Sequence, residues 1–249
     1  MLLTPADPEL LLTQLDPLRA EAATVHVWAF SLEGRPGCIE RCRDSLTPDE
    51  LERAARFVFE RDRIRYTVAH GVLRHLLSRY CGAAPDSLRF TSTSTGKPTL
   101  VFPEGSVHFN LTHSDNRGLL GVCADRELGV DLEKVRSDIE ALAISRHYFF
   151  GSERDAIQAA PEGEREWTFF RYWVAKEAVL KAQGIGLGFP LDRFRVDFLA
   201  DGESARIETL DPARLGGDWT VRMIPCEGSW LAAAVTRGTD WVVKLEGCL

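Results

Sequence analysis

The sequence predicts an α+β protein made of two similar halves, about residues 1–125 and 126–249, packed side by side around a pseudo-two-fold axis with a site in the cleft between them. Two observations favour this fold class. Segments with strand-like alternation and segments with helical periodicity occur on both sides of residue 126. The chain also has 249 residues, enough for one large domain or two small ones with their own cores. Pockets often form where such halves meet.

The first half begins with a Leu- and Pro-rich segment, 1–20, which we expect to run irregularly over the surface. A helix then starts at Thr47, because Thr47 can cap the first turn, Pro48 suits the first helical position and Glu50 completes a capping box. The next helix should end before Gly82, since glycine favours the left-handed conformation that closes helices. The elements predicted in this half are a strand at 25–32, helices at 45–57 and 62–82, and a β-rich segment at 88–125.

The second half contains helical patterns followed by short apolar runs bounded by turn residues, so we expect helices first and strands after them. The predicted helices are 137–149, 152–160 and 164–182. The predicted strands lie near 193–199, 204–209, 219–224, 229–236 and 240–245.

The overall charge argues against a general nucleic-acid binder, because the formal net charge is −7 and such proteins need a broad basic surface. Basic residues nevertheless cluster in one short segment that could face an anion: Arg53, Arg56, Arg61, Arg63 and Arg65. The N-terminus lacks the basic and apolar regions of a secretory signal, and no apolar run approaches the roughly 18 residues needed to span a bilayer. We therefore expect a cytoplasmic protein that does not enter membranes.

The six cysteines are scattered and resemble neither a disulfide framework nor a zinc site. They are Cys38, Cys42, Cys81, Cys123, Cys226 and Cys248. Free cysteine packs as a small hydrophobic residue, so we expect reduced and mostly buried thiols.

Two carboxylates in the segment GVDLEKV, 129–135, point to a cation site. Asp131 and Glu133 are two residues apart, and in a strand such residues lie on the same face. Their neighbours Val130 and Leu132 indicate partial burial, and two acids on one buried face repel each other unless a cation lies between them. The alternative is an edge strand whose acids are solvated.

The segment WVAKEAVLK, 173–181, adds a third acid on a predicted helix. Glu177 is flanked by Lys176 and Lys181, and carboxylates beside lysines favour Mg²⁺ holding a phosphorylated ligand. Trp173 is expected in the core. The alternative is a solvent-facing ion pair between Glu177 and Lys181, which would contribute only tenths of a kcal/mol.

Two further segments carry polar residues suited to an anion. Lys97 follows a Thr- and Ser-rich stretch, and its turn could present a point charge to an anion or simply be exposed. It is not part of a phosphate-binding loop, because Thr91 stands where the first glycine belongs and Pro98 where Ser or Thr should follow. His113 lies in a polar cluster that could bind phosphate or cap a turn.

Taken in order, these motifs resemble the 4′-phosphopantetheinyl transferases of the long, surfactin-synthetase-activating (Sfp-like) type. The similarity covers roughly residues 45–200, and the chain length suits this type rather than the half-length carrier-protein synthases. The matching motifs are GKP at 96–98, FNLTHS at 109–114, GVDLE at 129–133 and WVAKEAVLK at 173–181.

The resemblance implies an enzyme that moves phosphopantetheine from coenzyme A to a serine of an acyl or peptidyl carrier protein and releases adenosine 3′,5′-bisphosphate. By the same resemblance, Asp131, Glu133 and Glu177 would hold Mg²⁺ against the coenzyme A pyrophosphate. The residues implied at the coenzyme A phosphates are Lys97, His113 and Lys181, with Pro98 and Lys176 beside them.

The remaining implied roles concern the nucleotide end and the base. By the resemblance, Arg53 and Arg65 correspond to basic residues that meet the 3′-phosphate, whereas Glu50 stands where a basic residue is often found. Glu177 or Glu153 is the implied base for the partner's serine. Lys181 would stabilise charge on the leaving phosphate. Thr112 replaces a common serine and keeps the hydroxyl.

Two other functions stay open at this point: a non-catalytic coenzyme A-binding protein of the same fold, and a metal-dependent phosphohydrolase. The sequence names neither the carrier protein nor the choice of Mg²⁺ over Mn²⁺. Because two halves can build a complete site in one chain, we expect a monomer.

Overall fold

Helices cover the outer faces of two β-sheets in the computed structural model, which describes residues 1–105, 107–186 and 188–247. The first sheet has the strand order β11-β1-β5-β4 and the second has the order β6-β10-β9-β8-β7. A separate hairpin pairs β2 with β3. The α+β fold class is confirmed, and the pseudo-two-fold relation of the halves stays a prediction.

The strands are β1 Thr24–Ser31, β2 Arg89–Ser92, β3 Pro98–Phe102, β4 His108–Ser114, β5 Arg117–Cys123, β6 Leu128–Lys134, β7 Phe194–Phe198, β8 Ser204–Thr209, β9 Trp219–Ile224, β10 Trp230–Arg237 and β11 Val242–Glu246. The α-helices are α1 Pro8–Thr13, α2 Pro36–Asp44, α3 Pro48–Ala55, α4 Glu60–Cys81, α5 Ala141–Tyr148, α6 Gly151–Ala159 and α7 Arg165–Gln183. Short 3₁₀ turns lie at Pro85–Ser87, Glu162–Glu164 and Leu191–Arg193.

Side-chain alternation along the strands produces a four-layer arrangement, helix–sheet–sheet–helix. In β1, Trp28 and Phe30 pack against α1, α2 and α4, whereas Val25 and Val27 point the other way, into a core shared with the second sheet. The odd-numbered residues of β10 pack against α7, and its even-numbered residues enter the shared core. The two sheets therefore bury their inner faces against each other.

Most predicted elements occur within a few residues of their expected bounds. The capping box at Thr47 is present, with Glu50 accepting from the Thr47 backbone N–H at 2.8 Å, and Gly82 closes α4 at φ 64°. The expectation of an irregular segment at 1–20 is wrong in part, since Asp7 caps the short helix α1, whose Leu11 and Leu12 are buried. Helix α2 was not predicted at all.

The C-terminal strand of the second half joins the sheet of the first half. The strand β11 follows the whole second half in sequence, yet it pairs in parallel with β1 of the first sheet. The predicted boundary near residue 126 falls between β5 and β6, which lie in different sheets. That boundary stays a prediction, and β11 crosses it.

Two smaller expectations concern thiols and membranes. Cys38, Cys42, Cys123 and Cys226 are free thiols, of which the first three are buried and Cys226 is partly exposed; Cys81 is also partly exposed. Cys248 lies outside the described residues. None of the helices in the described part of the chain is both long and apolar enough to cross a membrane.

Candidate active site

Strand β6 supplies two of the acidic side chains. Val130 and Leu132 are buried between the sheets, so the alternate residues Gly129, Asp131 and Glu133 point toward α7. Gly129 allows close contact, because a Cβ atom there would lie only 2.1 Å from the Ala178 carbonyl oxygen. The predicted common face of Asp131 and Glu133 is therefore present, and Asp131 is almost completely buried.

Strand β4 supplies hydroxyl and amide groups that face the acids. The Asn110 Oδ1 atom accepts from the Val130 backbone N–H at 2.8 Å. The Thr112 hydroxyl donates to Asp131 Oδ1 at 3.2 Å, and the Ser114 hydroxyl donates to Glu133 Oε2 at 2.7 Å. Because β4 and β6 are edge strands of different sheets, these side chains join the two sheets at their edges.

Helix α7 supplies Glu177 and Lys181, which are one turn apart and lie on the same face. The Lys181 Nζ atom lies 2.5 Å from Asp131 Oδ1 and donates to the Thr112 hydroxyl at 2.8 Å. Lys181 thus pairs with Asp131, and Glu177 is only 8% exposed, so the alternative of a solvated Glu177–Lys181 pair is wrong. Trp173 packs against the core of the second half, as expected.

The three acids influence one another's protonation. Burial raises the pKa of Asp131, and the nearby Lys181 charge opposes this rise. Burial, opposed by the Ser114 hydrogen bond and reinforced by the Asp131 charge, raises the pKa of Glu133. Burial and the charges of Asp131 and Glu133 raise the pKa of Glu177 to about 7. Burial and mutual repulsion therefore disfavour the charged forms of Glu133 and Glu177.

Two carboxylate oxygens of this site are buried without a hydrogen-bond partner among the described residues: Asp131 Oδ2 and Glu177 Oε1. Such oxygens suit a hard cation, which would relieve both the burial and the mutual repulsion. No group of three or more His, Cys, Asp or Glu side chains within the described ranges is arranged as a ready-made metal site. The donor set fits Mg²⁺ in chemistry, and the metal itself stays a prediction.

Positive groups from both halves surround His113. Partial burial, together with the charges of Lys181, His70 and Arg65, lowers the pKa of His113. The Arg65 Nη2 atom donates to Asp115 Oδ1 at 3.1 Å, and the other oxygen of Asp115 accepts from Lys134 at 2.8 Å. This region can attract an anion beside the acidic groups.

A cavity of about 310 Å³ lies beside Glu177 and Lys181, at the junction of the halves. Its walls come from the β2–β3 turn and β4 on one side and from α7 on the other, and Pro98 lies in its wall. A second cavity of about 600 Å³ is lined by Ser114, Glu133 and the segment 134–138. Arg53 lines a different cavity beside Arg56 and has its guanidinium 5.8 Å from the centre of the Tyr66 ring.

The structure gives Glu153 and Lys176 a place away from this site. Lys176 is fully buried, with its ammonium 2.9 Å from Glu153 Oε2 and donating to the Leu191 and Phe194 carbonyls. Glu153 is 1% exposed, and its oxygens also accept from the backbone N–H groups of Phe150 and Val196. A base for a partner's serine must be accessible. We therefore leave this pair out of the proposed site.

Lys97 lines the 310 Å³ cavity, but its ammonium points into the protein and contacts Glu127 at 2.6 Å. Glu127 is not predicted from the sequence, and neither is Asp115, which binds Arg65 and Lys134. A signal existed for Asp115, since Asp and Asn at 115–116 form the turn that returns β4 into β5. Nothing in the local sequence indicates the partner of Glu127.

Comparisons with known proteins show which family this chain resembles. A family model described as 4′-phosphopantetheinyl transferase superfamily matches residues 127–235, and one described as 4′-phosphopantetheinyl transferase, N-terminal, matches residues 38–124. The 4′-phosphopantetheinyl transferase HetI of Nostoc sp. is 35% identical over 224 residues, covering 88% of this chain and 90% of that protein. The 4′-phosphopantetheinyl transferase Sfp of Bacillus subtilis is 30% identical over 167 residues, covering 66% and 71%.

A crystal structure of Thermotoga maritima holo-[acyl-carrier-protein] synthase matches 45% of this chain and 63% of its own at 16% identity, with a TM-score of 0.35. The identity and coverage of the sequence relatives show that the chain belongs to the 4′-phosphopantetheinyl transferase superfamily. The prediction of a 4′-phosphopantetheinyl transferase of the Sfp-like type is confirmed.

Proposed function

We propose that this protein transfers the 4′-phosphopantetheine group of coenzyme A to a serine of an acyl or peptidyl carrier protein and releases adenosine 3′,5′-bisphosphate. The observation that supports this most is the contact of Lys181 with both Asp131 and Thr112. It brings a cation, an acid and a hydroxyl from three elements of both halves together beside a cavity. A site for phosphates needs positive groups to bind them, and a divalent cation in that site would need carboxylates as ligands.

The positive groups of the site would bind the phosphates of coenzyme A. Lys181 contacts Asp131, and the charges of Lys181 and of Arg65 from α4 both act on His113. Arg53 lies in the last turn of α3, near Tyr66, and would contact the nucleotide end of coenzyme A. The pyrophosphate of coenzyme A would therefore bind at the junction of the halves, and its nucleotide would bind to the first half.

Asp131, Glu133 and Glu177 would hold Mg²⁺. When bound, the ion would polarise the pyrophosphate and offset charge that develops on the phosphates. The support for these ligands is the pair of buried oxygens without partners, Asp131 Oδ2 and Glu177 Oε1.

The reaction is a displacement at phosphorus. The serine oxygen of the carrier forms a bond to the phosphorus next to pantetheine, and the bond from that phosphorus to the bridging oxygen breaks. The electron pair of that bond leaves with adenosine 3′,5′-bisphosphate, and Lys181 stabilises its charge. The serine proton passes to a base, for which Glu177 is our candidate because it lines the cavity beside Lys181 and its Oε1 atom has no hydrogen-bond partner among the described residues.

The test is incubation of the protein with coenzyme A, Mg²⁺ and a panel of apo acyl and peptidyl carrier proteins, followed by intact-mass spectrometry. We expect a gain of one phosphopantetheine arm on at least one carrier, with adenosine 3′,5′-bisphosphate released in equal amount. Carriers whose serine is replaced by alanine, and reactions with excess chelator, should gain nothing. No gain on a broad panel would favour a coenzyme A-binding protein, and phosphate release without a carrier would favour a phosphohydrolase.

We also propose that the protein acts as a monomer. Groups from β4 and α4 in the first half and from β6 and α7 in the second half meet within one chain. A sedimentation measurement at assay concentration tests this, and a dimer that persists on dilution would contradict it.

A further inference from the structure

The ammonium group of Lys97 is bound by acceptors from two elements of the second half. The Lys97 Nζ atom donates to Glu127 Oε2 at 2.6 Å, to the Leu128 carbonyl at 3.2 Å and to the Ala182 carbonyl at 2.9 Å. A lysine ammonium has three N–H donors and no acceptor, so these three contacts use all of them. The side chain is 8% exposed. Lys97 therefore has no donor left for a phosphate unless one of these bonds breaks.

The acceptors belong to the elements that carry the site. Leu128 is the first residue of β6, the strand of Asp131 and Glu133, and Ala182 lies in the last turn of α7. Carbonyl groups in the last turn of a helix have no partner within the helix, and a positive group there is favourable. Lys97 satisfies one of these carbonyls from outside the helix.

A second contact fastens the same turn to the same helix end. The Thr95 hydroxyl donates to the carbonyl of Gly184, the left-handed residue that closes α7. Packing is tight here, since a Cβ atom on Gly184 would lie 3.1 Å from Lys97 Cδ. Glu127 stays ionised beside Lys97, because hydrogen bonds from His108 and then Lys97 outweigh burial and lower its pKa to about 2.

We propose that Lys97 is a positioning residue, whose ammonium fastens the β2–β3 turn to the start of β6 and the end of α7 and so holds Lys181 and Glu177 against Asp131. The role assigned to those three residues rests on the proposed function. If Lys97 contacted coenzyme A, its loss would weaken substrate binding. If Lys97 is a positioning residue, its loss changes the geometry of the reacting groups instead. The two roles predict different kinetics.

The test compares Lys97→Met, Glu127→Gln and the double variant with the wild-type chain. We expect Lys97→Met to lower kcat by about tenfold to 100-fold, as small displacements of reacting groups do, with KM for coenzyme A unchanged within about twofold. Glu127→Gln should also lower kcat, but by a smaller factor, because Lys97 keeps its contacts with the Leu128 and Ala182 carbonyls. In the free energy of unfolding, the two substitutions should be non-additive, since their side chains are in contact. Lys244→Met, at an exposed ion pair on β11, is the matched control and should leave kcat unchanged.

Three outcomes would overturn the proposal. A raised KM with unchanged kcat in Lys97→Met would make Lys97 a coenzyme A ligand. A lower melting temperature with unchanged kinetic constants, measured where the variant is folded, would leave only a structural role. If Lys97→Met does not fold, Glu127→Gln decides, and an unchanged kcat there overturns the proposal. If the wild-type chain transfers nothing, the proposed function fails, and additive effects of the two substitutions on unfolding would then overturn the positioning role separately.

Discussion

Lys181 connects the two sheets at the candidate active site. One ammonium contacts Asp131 from the second sheet and Thr112 from the first. Its partner Asp131 still has one buried oxygen without a hydrogen bond. A buried ion pair is weak evidence for a role in stability, because its replacement by apolar residues of similar volume is often neutral.

We expect Asp131→Asn to lower the rate of carrier modification by about 100-fold or more, because it removes both a ligand charge and the partner of Lys181. The rate should be measured at saturating coenzyme A and Mg²⁺, together with a urea unfolding curve. Asp155→Asn, at an exposed position on α6 away from the acid cluster, is the control. A rate within twofold of the wild type in Asp131→Asn would contradict the role of this carboxylate.

Glu50 permits a prediction about pH at the same scale. Burial would raise its pKa, but hydrogen bonds from His70, the Thr47 backbone and Arg74 outweigh burial and lower the pKa to about 2. A carboxyl group with a lowered pKa stabilises the folded state above its ordinary value of 4.5, and this contribution is lost as pH falls toward about 2. The full contribution corresponds to about 3 kcal/mol.

Glu50→Gln should therefore flatten the decline of unfolding free energy between pH 6 and pH 3, as measured by urea titration. The exposed neighbour Glu52 provides the control, since Glu52→Gln should leave the pH dependence as it is. An equal slope in wild type and Glu50→Gln would show that the contacts of Glu50 do not stabilise its charged form.

At the scale of elements, the contact between β6 and α7 decides where the acids meet. A Cβ atom at Gly129 would lie 2.1 Å from the Ala178 carbonyl and 2.4 Å from the Ala182 backbone nitrogen, so α7 would have to move. We expect Gly129→Ala to lower the free energy of unfolding by about 1 to 3 kcal/mol and to lower kcat as well. Gly163→Ala is the control, because nothing lies within 4 Å of a Cβ there. Unchanged stability in Gly129→Ala would mean that the helix can shift without loss.

The buried pair of Glu153 and Lys176 joins α6, α7 and the start of β7. Lys176→Met alone leaves a buried carboxylate without its cation, so we expect a loss of about 3 to 5 kcal/mol in unfolding free energy. The double variant Glu153→Gln with Lys176→Met should lose less, because no charge is left buried. A double variant less stable than the single one would contradict this account.

Helical geometry explains why part of the site could be predicted from the sequence. Glu177 and Lys181 are four residues apart and share a face, whereas Lys176 and Glu177 are adjacent and do not. The family resemblance implies a position beside the phosphates for Lys176, whereas the helix turns this side chain into the core. The common face of Asp131 and Glu133 was predictable for the same reason, since strand geometry fixes it.

Contacts between distant elements could not be predicted in this way. The ammonium of Lys97 is bound by groups 30, 31 and 85 residues further along the chain, and no local pattern indicates them. Helix α1 is a different kind of miss. Asp7 and Pro8 do form a helix start, but the six residues of α1 are too few to show a clear period.

For the whole molecule, the main feature that the sequence did not predict is the crossing of β11 into the first sheet. The sequence predicts a division near residue 126, but β1 of the first half pairs with β11 of the second along Thr24–Trp28. The inner faces of both sheets also form one shared core, in which Val25 and Val27 of the first half meet Trp230 and Trp241 of the second. The two halves are therefore separate in sequence, but they share one hydrophobic core and one sheet.

This sharing predicts the behaviour of the isolated first half. A fragment of residues 1–125 lacks β11, which leaves one edge of β1 unpaired, and it exposes the apolar face that the second sheet covers. We expect the fragment to show no cooperative unfolding transition by circular dichroism or urea titration, in contrast to the full chain. Mixing it with a fragment of residues 126–249 should restore some cooperative structure, because β11 and the second sheet are then supplied in trans. A cooperative transition of the 1–125 fragment alone would mean that the shared core and β11 are not needed to fold the half that carries Lys97, His113 and Arg65.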